Sequence, residues 1–121
     1  MTTDRKIRRT LQRYVRSKQF LRPSTVQNTL SRETGLDSKA LHDYFLRKTG
    51  ASAEVWRTGL RVEEAKALLL NEPHATLYEV AWRTGFSDRS NFSKQFLAAT
   101  GFTPAAWRAA HADKVAGNGD C

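Results

Sequence analysis

Apolar residues along this chain recur three and four positions apart, the spacing of a helical face, and no segment alternates in the manner of a strand. Near the start, Ile7, Leu11 and either Tyr14 or Val15 share one such face. The longest run, Trp56, Leu60, Ala65, Leu68 and Leu69, predicts a helix opened by Ser52 and ended before Pro73. Leu77, Val80 and Ala81 predict another, followed by one that buries Phe92, Phe96 and Leu97, and then a short last helix with Trp107 turned inward. Polar punctuation agrees with this division. Thr76-Leu77-Tyr78-Glu79 reads as a capping box, Asp88 or Ser87 caps the next helix, and Pro104 stands at the favoured first position after Thr103. The predicted class is all-α, with about seven helices.

The chain also repeats itself. At an offset of 51, Leu41 falls on Phe92, Phe45 on Phe96, Thr49-Gly50 on Thr100-Gly101, Ser52 on Thr103, and Trp56-Arg57 on Trp107-Arg108. Upstream the offset is 50, pairing Leu30 with Val80 and Thr34-Gly35 with Thr84-Gly85. The residue added between the two registers falls in a turn. Each copy reads as helix, tight turn, helix. In the first, Gly35 ends one helix, Leu36 fills the turn, Asp37 caps the next, Leu41 and Phe45 face inward, and Gly50 stops it. The expected organisation is a basic N-terminal helix over 1–22 packed on a first helix-turn-helix at 24–50. A linker helix at 52–72 follows, then a second helix-turn-helix with a closing helix at 76–108 and a flexible tail at 109–121.

A helix-turn-helix places the start of its second helix in the major groove of a duplex, with the first helix across the backbone. That geometry needs small residues at the turn, an apolar inner face and a polar outer face, and both copies comply. The outward positions are Ser38, Lys39, His42 and Asp43 in the first copy. In the second they are Arg89, Ser90, Ser93 and Lys94, with Asn91 close by. Arg and Lys suit guanine edges and Asn suits adenine, while Asp repels phosphate but can accept from cytosine. The stretch from Ala53 to Leu70 is roughly 27 Å long as a helix, against about 34 Å between successive major grooves on one duplex face. A linker of that length suits two recognition helices about one DNA turn apart.

Composition narrows the partners. The 121 residues carry a net charge of +8, and the first 23 hold eight basic residues against Asp4 alone. Such a charge favours a polyanion, nucleic acid or an anionic membrane surface. No apolar run reaches membrane-spanning length, and the first residues are too charged for a signal peptide. The single cysteine, Cys121, cannot form a disulfide within the chain, which suits a reducing cytoplasm. His42, His74 and His111 are too scattered for a metal site, and no nucleophile–base pair or phosphate loop points to catalysis. The expectation is a non-enzymatic protein with no metal and no cofactor. The tryptophans and phenylalanines, at helical spacing, read as core more than as stacking platforms for single strands, with Trp82 set apart because it follows the inward Ala81. Arg57, Arg61 and Arg108 read equally as internal hydrogen-bonding residues or as DNA contacts.

Over roughly Ile7 to Arg108 the sequence resembles the DNA-binding domain of the AraC/XylS family of bacterial transcription regulators. Gly50-Ala51-Ser52, Arg61, Ala65 and Leu68-Leu69 carry the resemblance in the first half of the pattern. Val80-Ala81, Gly85-Phe86-Ser87-Asp88, Ser90, Phe92, Phe96, Gly101, Pro104 and Trp107-Arg108 carry it in the second. Gln27 stands where the family usually has an aliphatic residue and Ser31 where it has Ala, leaving Val26 or a shifted helix start to supply that core position. Asp43 replaces a basic residue that some relatives carry. The resemblance implies two helix-turn-helix subdomains joined by a long linker helix, and an activator of transcription bound to promoter DNA beside RNA polymerase. It implies base reading by Lys39 and His42 in the first copy and by Arg89, Ser90, Ser93 and Lys94 in the second. It also implies an N-terminal effector domain if the sequence is a fragment, and a cytoplasmic, nucleoid-associated location. The competing expectation, motivated by Asp43 and the looser first half, is a helical interaction module that docks RNA polymerase or a regulatory domain and binds DNA weakly or with one copy only.

Overall fold

The computed structural model describes residues 2–120, with side chains described over 3–112. It is all-helical, with seven α-helices and no strand among the described residues. The chain divides into two units, 1–58 and 59–121. The first contains α1 (Thr2–Arg16), α2 (Val26–Thr34), α3 (Ser38–Thr49) and the beginning of α4 (Ala53–Asn71). The second contains the remainder of α4, then α5 (Leu77–Arg83), α6 (Arg89–Thr100) and α7 (Pro104–Asp120).

In the first unit α1 packs on α2, and α2 on α3. The α1 face that turns inward is Ile7, Thr10 and Tyr14, with Leu11 half-buried, so Tyr14 is the core residue and Val15 is exposed. Lys18 adopts the left-handed conformation (φ 58°), which ends the helical path. A single 3-10 turn, Gln19–Leu21, follows and brings buried Phe20 to within 6.5 Å of the Tyr14 ring. Val26 is fully buried at the first position of α2 and takes the core site, which leaves Gln27 half-buried. Ser31, in place of alanine, donates its hydroxyl to the Leu36 carbonyl at 2.6 Å and ties α2 to the turn.

The second unit closes around Val62, Ala65, Leu69, Val80, Ala81, Phe86, Phe92, Phe96 and Trp107. Leu97 is not part of it: the side chain is 47% exposed, because Phe92 and Phe96 already fill the inward stripe of α6 and position 97 lies one residue beyond it. The closing helix does not end at Arg108. Ala109, Ala110 and Ala112 favour continued helix, and His111 stacks on Trp107 with ring centroids 4.1 Å apart. Of the tail expected at 109–121, the side chains of 113–121 lie outside the described residues.

The three arginines left open by the sequence are engaged inside their own units. Arg57 Nη1 donates to the Ser24 carbonyl at 2.7 Å, just before α2, and Nη2 pairs with Glu54 at 2.8 Å. Arg108 occupies the same place in the second copy and donates to the carbonyls of Leu69 (3.1 Å) and Glu72 (3.3 Å). Leu69 is among the last four residues of α4, whose carbonyls have no partner within the helix, so Arg108 serves as a C-terminal cap. Arg61 is buried and donates to the Gly85 carbonyl at 2.8 Å.

Removing the Arg61 donor leaves that carbonyl without this partner. Arg61→Met is expected to destabilise the protein by about 1–3 kcal/mol, read as a lower urea midpoint at unchanged slope. An unchanged midpoint would show that the bond contributes nothing to the second unit.

Candidate nucleic-acid interface

Both helix-turn-helix turns are built by the same local chemistry. Asp37 accepts the Ala40 N–H at 2.9 Å, and Asp88 accepts the Asn91 N–H at 2.7 Å. Each carboxylate thereby satisfies one of the free donors at the start of its recognition helix and places negative charge at the positive end of the helix dipole. Asp88, not Ser87, is the cap. In the turns, Gly35 and Gly85 hold φ of +75° and +87°, a region from which a Cβ is largely barred. The threonines before them matter as much. Thr34 and Thr84 are buried, and each donates its hydroxyl to the carbonyl four residues back (Leu30 and Val80, both 2.7 Å). Thr49 and Thr100 do the same to Phe45 and Phe96 at the far ends of α3 and α6, both at 2.8 Å.

Behind each recognition helix stands a tryptophan. Phe45 of α3 meets Trp56 at 5.5 Å, and Phe96 of α6 meets Trp107 at 5.9 Å, the same pair in the two copies. These contacts fix which side of each helix faces inward, and so which faces out. Ser38 and Lys39 lie in the first turn of α3 and His42 and Asp43 in the next, all four exposed. Arg89, Ser90 and Lys94 are exposed on α6, while Asn91 and Ser93 are half-buried. Lys39, His42 and Asp43 share one face of α3 and Ser90, Ser93 and Lys94 the matching face of α6, with Ser38, Arg89 and Asn91 in the first turns beside those stripes.

The electrostatics differ between the copies. Asp4 of α1 accepts from both terminal nitrogens of Arg47 (3.3 and 3.4 Å) and lies 3.9 Å from Lys48. The Arg47 guanidinium holds the Asp4 carboxyl below its usual range. The basic end of α3 is thus partly neutralised from within. On α5, Arg83 makes a two-pronged bond to Glu72 (2.7 and 2.9 Å) and likewise depresses the Glu72 pKa. Along α1, Arg5, Lys6, Arg8, Arg9, Arg13 and Arg16 are exposed, with Arg13 3.5 Å from Glu33.

Sequence patterning read Leu97, Trp82 and Phe102 as core and singled out neither Leu46 nor Tyr78 as a surface feature, yet all five are exposed. Leu46 on α3 and Leu97 on α6 are 44% and 47% exposed, and Tyr78 and Trp82 are 68% and 74% exposed one turn apart on α5. The repeat itself carried a signal for the leucines, since at the offset of 51 Leu46 falls on Leu97 and both lie outside the inward Phe stripe.

Two copies of helix, glycine turn and helix, each offering a polar leading turn over an aromatic anchor, define a double helix-turn-helix domain. The family description "Helix-turn-helix domain" matches residues 30–110. The arabinose operon regulatory protein of Escherichia coli (strain K12) is 34% identical over 80 residues, covering 66% of this chain and 27% of that protein. The crystal structure of the DNA-binding domain of AdpA, a global transcriptional factor solved in complex with a target DNA, superposes with a TM-score of 0.76. That match has 24% identity and covers 89% of this chain and 94% of that one. A probable AraC family transcriptional regulator from Rhodopseudomonas palustris matches at a TM-score of 0.72 and 25% identity, over 86% of this chain and 94% of that one. The chain belongs to the helix-turn-helix family of AraC-type DNA-binding domains. It spans about a quarter of the length of the curated relatives it matches. The family and fold are those of transcription regulators, and no helix among the described residues is long and apolar enough to cross a membrane.

Capping by Asp88 positions the leading turn of α6. Asp88→Ala is expected to cost about 1 kcal/mol of stability, measured by thermal unfolding, with the loss suppressed in Asp88→Ser. Equal losses in both variants would argue that the carboxylate acts by something other than capping.

Proposed function

We propose that this chain binds duplex DNA sequence-specifically, with α3 and α6 as the two recognition helices, entering successive major grooves of one promoter site. The observation that carries the reading is the repeated exposure of a polar helix start over a buried aromatic face: Ser38, Lys39, His42 and Asp43 once, and Arg89, Ser90 and Lys94 again, with Asn91 and Ser93 half-buried among them. Arg89, with its fork of donors, is assigned to a guanine, and Asn91 to an adenine if its side chain reaches the groove. Asp43 makes the first helix the poorer reader, restricted to a cytosine amino group where it engages a base at all. The relative solved with its target DNA supports duplex DNA as the partner.

Selection of bound sites from a randomised duplex pool tests the proposal. An asymmetric site with a strong and a weak half is expected. Arg89→Ala should weaken that site by about 1–3 kcal/mol and relax preference at one base position, whereas Lys94→Ala, if it meets phosphate, should weaken all sequences alike and flatten the salt dependence. A protein in which Arg89→Ala leaves site preference intact does not read DNA through this face.

A second reading concerns partners, and the exposed pair on α5 favours it. Tyr78 and Trp82 form an aromatic patch one turn apart, outside both reading faces. Aromatic side chains of this kind anchor protein–protein contacts. We assign the patch to RNA polymerase, making the protein an activator in the bacterial cytoplasm, bound to the nucleoid when on its site. A regulatory domain in a longer polypeptide is the other partner proposed. Trp82→Ala should leave affinity for the selected site within about twofold, a change close to RT in size, and lower transcription from a promoter carrying that site. A parallel fall in DNA affinity would instead make Trp82 a DNA contact.

A further inference from the structure

Leu46 and Leu97 lie on the same faces as the residues assigned to base reading. From Lys39, the positions three, four and seven residues on are His42, Asp43 and Leu46. From Ser90 they are Ser93, Lys94 and Leu97. A helix lying in the major groove presents that spacing to the base edges. One exposed leucine is unremarkable on any protein surface. The same leucine at the same register of both recognition helices, 44% and 47% exposed on otherwise polar stripes, is a different matter. Neither fills the core, since the inward places are taken by Leu41 and Phe45 in one copy and by Phe92 and Phe96 in the other.

The major groove offers one apolar group to such a side chain, the C5-methyl of thymine. We infer that Leu46 and Leu97 are specificity residues, each covering a thymine methyl at the far edge of its half-site. The inference rests on the DNA-binding reading above and adds to it a base preference that the polar residues do not supply. Seven residues along a helix is about 10 Å, or about three base pairs at 3.4 Å each. The thymine in each half-site therefore lies about three pairs from the base met by Lys39 or by Ser90. The first half-site gains most from this contact, because Asp43 makes its polar readout the weaker of the two.

Replacing thymine by deoxyuridine removes the methyl and leaves the hydrogen-bonding edge unchanged. On the duplex selected by the wild-type chain, each thymine is replaced singly and affinity is measured by fluorescence anisotropy. One position per half-site should lose about fourfold, the effect of uncovering one methyl group. In Leu97→Ala the loss at the second half-site should vanish while the first is unchanged, and Leu46→Ala should do the converse. Both leucines are exposed, so the variants should keep the wild-type unfolding midpoint, which is checked alongside. Loss of affinity at deoxyuridine that persists in both variants, or no sensitive thymine at all on a tightly bound site, would overturn the assignment. If no preferred duplex emerges from selection, the DNA-binding reading fails first and the leucine assignment falls with it.

Discussion

The contact on which each unit depends is that between the last buried phenylalanine of a recognition helix and the tryptophan of the helix that follows. Phe45 against Trp56 and Phe96 against Trp107 each bring two large apolar rings together at 5.5 to 5.9 Å. Tilted or edge-on ring pairs of this kind contribute beyond the area they bury. Their consequence is rotational. A recognition helix can read a groove only if its polar stripe points away from the protein, and the aromatic pair sets that angle from the opposite side. The neighbouring arginine completes the arrangement. Arg57 and Arg108, one residue after each tryptophan, reach the backbone ahead of the paired helix and hold carbonyls that lack a helical partner.

This use of arginine shapes the electrostatics. Several cations that a charge count would offer to DNA are committed to internal carbonyls or carboxylates: Arg57, Arg61 and Arg108 to backbone, Arg83 to Glu72, and Arg47 to Asp4. The exposed basic residues are thereby concentrated on α1, and the two second helices carry few charges on their outward faces. Lys39 on α3 and Arg89 and Lys94 on α6 stand among serines, a histidine and an aspartate. On the proposed reading, such a surface would discriminate by hydrogen-bond pattern and apolar fit more than by bulk charge. The exposed leucines at the far edge of both stripes, Leu46 and Leu97, are uncharged, and apolar contacts do not weaken with salt as ion contacts do.

The two copies share their framework and diverge at the surface. The same threonines close the same turns at 2.7 Å, and the same aspartate caps both recognition helices. Outside that framework, α5 shows Tyr78 and Trp82 where α2 has Asn28 and Arg32 at the corresponding repeat positions. A duplicated unit that keeps its core while one first helix turns polar and the other aromatic has two different surfaces to offer.

The sequence by itself determined the helical class, the duplication and the identity of most core positions, because helical spacing, glycine stops and cap residues are local chemistry. It also placed Ser38, Lys39, His42, Asp43, Arg89, Ser90, Asn91, Ser93 and Lys94 on two helix starts, since caps and periodicity fix a residue's position around its own helix. Other features required the tertiary structure. Periodicity could not choose between Tyr14 and Val15, which lie on adjacent faces of α1, or see that Phe92 and Phe96 leave no inward room for Leu97. It could not tell an arginine that clamps a carbonyl from one that meets a phosphate, because the partner is a backbone atom 24 to 39 residues away. Side-chain burial and long-range hydrogen bonds depend on which surfaces meet in space, and only packing determines that.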